Sequence, residues 1–206
     1  MQADLIILLR QKQCLMPKIF LKKKKIFSRK YKNKIYISLD IITANFTAIK
    51  FFDPELVLGF ANWKELIKSF TDIEYFIQSK HFRQIVFDRF SSTMKRVTSI
   101  QKYLTNYLYQ ILKSQNIPLE GASHDEIIIS SDKDTLKSHI EKINICLNEL
   151  PKNMQNIWKV VPFELSSICN TPSYVKKILD PITLEIPENS KLKIQIRIFM
   201  HKFINI

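Results

Sequence analysis

Ser123-His124-Asp125-Glu126-Ile127-Ile128-Ile129-Ser130 sets two adjacent carboxylates at the mouth of an apolar, β-branched run. Ile-Ile-Ile reads as a buried strand. Desolvating a charge is costly, so acids avoid a strand's buried end unless something neutralises them. A divalent cation suits two such carboxylates. A turn before a strand is the plainer reading, because Asp is common in turns. The rest of the chain decides between them.

Upstream, Ile35-Tyr36-Ile37-Ser38-Leu39 is a second strand pattern, and it ends on Asp40. If the two strands are antiparallel neighbours, the end of one lies beside the start of the other, and Asp40 comes near Asp125. Grouped carboxylates of this kind can hold Mg²⁺ (or Mn²⁺) for phosphoryl transfer. Mg²⁺ needs only one or two of them when substrate phosphates supply the rest.

The segments between and after these acids alternate helix and strand signals. Apolar spacing predicts a helix over 41–52, stopped by Asp53-Pro54. A short helix comes next over 63–70, with Leu66, Ile67 and Phe70 on one side. Thr71-Asp72-Ile73-Glu74 fits a capping box that opens a helix from Ile73 to about Phe90. Lys80, His81, Arg83 and Arg89 make that helix basic; Lys80 and Arg83 share a face that could grip a triphosphate. Ser91-Ser92-Thr93 breaks it and caps a helix over 94–114. Residues 116–121 read as a connection. Helix 132–150 has acids in its first turn. Strand 157–165 contains Pro162, which argues for an edge or a bulge. Period-two alternation recurs within 176–186 and 191–203.

The whole pattern is α+β: an antiparallel sheet packed against several helices. A basic arm over 1–33 precedes a core over 34–165, and strands within 166–206 complete or extend the sheet. The arm holds Lys22, Lys23, Lys24, Lys25 and Arg29, interleaved with Phe20, Phe27 and Tyr31. Such a segment can track a phosphate backbone and stack on bases, and it also reads as a solvated arm.

Bulk composition agrees with a folded, polyanion-binding protein. The 206 residues carry 32 Lys+Arg against 19 Asp+Glu, a formal charge of +13. That favours nucleic acid or nucleotides as partners. An AT-rich coding sequence would give the same Lys-, Ile- and Asn-rich composition without any such cause. Three scattered cysteines make no zinc spacing with the four histidines and suit a reducing, intracellular compartment. No apolar stretch is long enough to cross a membrane. The N-terminal apolar run precedes its charges, the wrong order for a secretion signal. Two glycines leave no Walker loop and no dinucleotide fingerprint. Adjacent Ser123 and His124 do not make a nucleophilic triad.

Ser123-His124-Asp125-Glu126-Ile127-Ile128-Ile129 resembles the His-Asp-Glu motif of family A DNA polymerases. The helix 132–150 and Val160-Val161-Pro162-Phe163-Glu164-Leu165 resemble the helix and strand downstream of that motif in the family. Leu39-Asp40-Ile41-Ile42-Thr43-Ala44-Asn45-Phe46 resembles the family's first palm motif. The resemblance implies a palm-like core. In it Asp40 and Asp125 bind metal, Glu126 assists, and the fingers motif matches Arg83 and Phe87. Asn45 stands where the family has a Glu that helps exclude ribonucleotides. Ser79 and Asp88 replace the fingers motif's Arg and Gly. The interval between the acidic motifs is also shorter than in the family.

The expectation is a divergent nucleotidyltransferase with Asp40, Asp125 and Glu126 as catalytic acids, Lys80, Arg83 and Phe87 at the nucleotide, and the basic arm on nucleic acid. The alternative is a basic nucleic-acid-binding or assembly protein without catalysis. Strand 191–203, if it forms an open edge, could pair with another chain.

Overall fold

The structure is a computed structural model that describes residues 34–88, 91–167, 174–179 and 182–185. They form an α+β arrangement of six strands and six α-helices. The helices are α1 (Ala44–Phe52), α2 (Trp63–Lys68), α3 (Glu74–Gln78), α4 (Lys80–Asp88), α5 (Ser91–Ser114) and α6 (Leu136–Asn148). The strands are β1 (Ile35–Ile41), β2 (Leu119–Ala122), β3 (Glu126–Ser131), β4 (Trp158–Ser167), β5 (Tyr174–Leu179) and β6 (Ile182–Glu185). They make one antiparallel sheet in the order β2-β3-β1-β4-β5-β6.

Successive strand residues face opposite sides of a sheet, and β1 and β3 divide accordingly. Ile37, Leu39, Ile41, Ile127 and Ile129 join the helical core. α5 presents Val97, Ile100, Leu104, Leu108 and Leu112 to them, spaced three and four apart as one helix stripe. Ile143 and Cys146 of α6 and Ala48 of α1 complete this layer. Tyr36 and Ile128 face the other way and pack with Phe163 and Leu165. Three consecutive isoleucines are therefore fully buried because β3 is covered on both faces.

Several expected elements differ in their ends. β1 runs through Asp40 to Ile41, so α1 begins only at Ala44. Ile42 and Thr43 make the turn between them, with Thr43 left-handed at φ 45°. The expected helix 73–90 is two helices. Ser79 is extended between them, and its Oγ accepts the Phe82 N–H at 3.0 Å, capping α4. The capping box does not form: Thr71 Oγ1 accepts from Ile73 N, and Glu74 is instead bonded by the Gln78 side chain. Phe70 lies past the end of α2 and is 69% exposed, not on the helix's packed side.

The connection 116–121 contains an edge strand, β2, with a register shift between Leu119 and Gly121. α6 is shorter than 132–150, because Asp132 accepts from the N–H groups of Asp134 and Thr135 in a turn before it. Strand 191–203 and the basic arm fall outside the described residues.

Pro162 lies in an interior strand, not at an edge, and the ladder explains how. Leu165 N bonds to Lys34 O and Ile42 N to Ile157 O, which fixes the parity of the β1–β4 pairs. Ile37 and Pro162 then form a non-hydrogen-bonded pair. The nitrogen of Pro162 points away from β1, towards β5, whose pairing with β4 starts only at Phe163. No ladder bond of this register needs a Pro162 N–H.

Candidate catalytic acid face

The strand pairing that would bring the acids together is present. β1 and β3 are antiparallel neighbours, with Asp40 directly opposite Glu126. Ile41 N bonds to Asp125 O at 2.9 Å, so odd residues of β1 make the hydrogen-bonded pairs with β3. Asp40 and Glu126 thus form a non-hydrogen-bonded pair, the type whose Cα atoms approach to about 4.5 Å with side chains on one face. Like charges so placed repel, and the neighbouring side chains offset this.

Ser38, two residues before Asp40 on the same face, is one of those neighbours. Its Oγ lies 2.5 Å from Glu126 Oε1 and 3.1 Å from Asp40 Oδ2. A hydroxyl carries one proton, so the short contact to Glu126 is its main donation. Lys176 is the second: its Nζ sits 2.6 Å from Glu126 Oε1. Glu126 and Lys176 are 6% and 7% exposed, a buried ion pair. The ammonium also lies 4.9 Å from the centroid of the Phe163 ring. Lys159, exposed on β4, stands opposite Asp40 on its other side.

This ion pair reports the shape of the sheet. β1 and β4 lie between Glu126 on β3 and Lys176 on β5, three inter-strand steps or about 14 Å if flat. Lys176 is also displaced along the strands, opposite Leu165, which bonds to Lys34 rather than to the Asp40 end of β1. Side chains cannot span both offsets. The sheet therefore coils, and β5 curls over the acid face.

Asp125 occupies the tip of the β2–β3 hairpin, just before β3, where strand alternation no longer fixes its side chain. Its carboxylate accepts the Ser123 O–H at 2.8 Å, with His124 Nε2 at 3.5 Å, and its side chain is 37% exposed. α5 braces this tip and the β1–α1 turn. Buried Thr105 donates to His124 O at 2.9 Å; buried Gln101, one helical turn earlier, donates to Asn45 Oδ1 at 2.8 Å. Among the described residues, no three His, Cys, Asp or Glu side chains are arranged to hold a metal ion.

The basic candidates sit on α4. Lys80 is exposed and Arg83 half-buried. Burial pushes the Arg83 guanidinium below its ordinary value, yet an arginine stays cationic. Phe87 is buried in a cluster with Phe46, Val57 and Trp63, its ring 5.7 Å from that of Trp63. That packing makes Phe87 a core residue rather than a surface for a nucleotide. Lys22, Lys23, Lys24, Lys25 and Arg29 are outside the described residues.

Ser38, Lys176, Gln101 and Thr105 were not legible as site residues. For Ser38 the signal existed, since period two puts it on Asp40's face. Lys176 had none: its partner is 50 residues away and across two strands. Compared with models of known protein families and with curated protein sequences, the chain finds no match.

Proposed function

We propose that the protein is a divergent nucleotidyltransferase acting on nucleic acid, with the acid face as its chemical centre. The observation that carries this is the β1–β3 register, which sets Asp40 against the hairpin that bears Asp125 and Glu126. Asp40 and Asp125 are the two carboxylates that would hold Mg²⁺ or Mn²⁺. Two suffice for a site completed by substrate phosphates. The bound cation would neutralise charge developing on the transferred phosphoryl group. Lys80 and Arg83 would hold nucleotide phosphates, and the excess of 32 basic over 19 acidic residues favours a polyanionic partner.

The test is nucleotide incorporation into a primed template with Mg²⁺ or Mn²⁺. Wild type is expected to incorporate, and Asp40→Asn and Asp125→Asn to lose activity by about a hundredfold or more. Equal activity in wild type and Asp125→Asn sinks the reading.

A second reading, a nucleic-acid-binding protein without catalysis, is favoured by one observation. Glu126 is already neutralised by Lys176 in a buried pair, leaving fewer acids for metal. It predicts salt-dependent binding of nucleic acid that survives Asp125→Asn, with no incorporation by wild type.

A further inference from the structure

We propose that Lys176 is the resident cation of the acid face, and that β5 and a divalent cation compete for it. The inference rests on reading that face as a cation site, and it names how the site is regulated.

Two carboxylates meet in the closest kind of cross-strand pair. Ser38 has one proton to give and serves mainly Glu126. The charge on Glu126 is then balanced by the Lys176 ammonium at 2.6 Å, with both groups more than nine-tenths buried. That ammonium comes from neither β1 nor the hairpin. It is carried in by β5, a strand that neighbours neither β1 nor β3 and reaches the acids only because the sheet coils. A cation delivered by a separate strand can be withdrawn with that strand, while the carboxylates stay on the rigid β1–β3 pair.

Ile178 of β5, directly opposite Phe163 on β4, packs against the Tyr36, Ile128, Phe163 and Leu165 cluster on the same face as the acids. Seating Lys176 therefore closes the Glu126 end of the face by charge, while Asp40 stays half-buried. A divalent cation bound to Glu126 or bridging it to Asp40 faces the ammonium at contact distance. The two are mutually exclusive, since like charges that close in a buried site repel strongly. With Lys176 seated, Glu126 is taken by the ammonium; with β5 lifted, its carboxylate faces Asp40 across the β1–β3 pair.

The direct test acylates the wild-type protein with acetic anhydride and reads modification of Lys176 by mass spectrometry. Lys176 is expected to be protected in metal-free buffer. Adding Mn²⁺ should raise its labelling several-fold, while Na⁺ at equal ionic strength should not. Unchanged labelling across a Mn²⁺ titration overturns the proposal. A second measurement tracks Mn²⁺ binding by electron paramagnetic resonance in Lys176→Met and Lys176→Arg. Lys176→Met should bind at least tenfold tighter than wild type, and Lys176→Arg should not; equal affinity in a folded Lys176→Met also overturns it. Labelling that responds to Mn²⁺ without nucleotide incorporation leaves this competition standing and removes the nucleotidyltransferase reading. Incorporation with Lys176 protected throughout does the reverse.

Discussion

Ser38 has one proton and two carboxylates within reach of it. Buried at 1% exposure, it cannot turn to water. Ser38→Ala leaves Glu126 with one partner fewer in a dry site and removes the hydroxyl that stands between two like charges. The expected loss is about 1.5–3 kcal/mol, the usual worth of a hydrogen bond to a charged group. Urea denaturation measures it, and wild-type stability in the variant would mean the hydroxyl contributes nothing. Asp132 offers a pH-dependent counterpart. Its carboxylate accepts from Thr135 N and Oγ1 and from Asp134 N, and these bonds hold it below the ordinary 3.8. A depressed folded pKa means the stabilisation is complete above the unfolded value and is lost as pH falls through the folded one. Asp132→Asn should therefore flatten the acid limb of the stability profile and leave neutral-pH behaviour little changed. An acid limb identical to wild type would contradict this.

At the scale of elements, much of the fold was legible, and each miss has a local cause. Strand β1, the Ile127–Ile129 strand and the helix stripe of α5 arise from period two and period 3.6, because each buries one repeating face. The boundaries failed where particular hydrogen bonds overrode pattern. Apolar spacing runs through Ile41 and Ile42, yet the strand ladder holds Ile41 by its bond to Asp125 O, and Ile42 by its bond to Ile157 O. The helix start is thereby delayed to Ala44, and Thr43 takes a left-handed turn. A β-branched residue is sterically strained there. Its hydroxyl compensates little, meeting Thr47 Oγ1 only at 3.5 Å, while the Thr47 hydroxyl donates to Ile42 O. Thr43→Asn, which tolerates that conformation, is expected to stabilise the protein by about 1 kcal/mol. A fall in the urea midpoint would show that the threonine is holding the turn. Ser79 interrupted a helix for a similar local reason, by capping the next one.

At the scale of the whole molecule, the acid face depends on contacts that no local pattern encodes. Two strands ending in acids lead to the expectation that Asp40 lies near Asp125; the register sets it directly opposite Glu126. The coil that carries Lys176 over them could not be anticipated, because a strand's sequence says nothing of how far its sheet bends. The buried pair gives that coil a measurable signature. Removing one partner of a buried ion pair strands the other and costs about 3–5 kcal/mol; replacing both with neutral groups is often close to neutral. Lys176→Met alone should therefore destabilise strongly, and adding Glu126→Gln should recover most of the loss, since the amide still accepts from Ser38. Urea midpoints of wild type, both single variants and the double variant close the cycle. Strong non-additivity means the ion pair is coupled across the coil. Additive losses would mean that the apolar cluster of Tyr36, Ile128, Phe163, Leu165 and Ile178 holds β5 down by itself, with Lys176 merely resting on an already closed face.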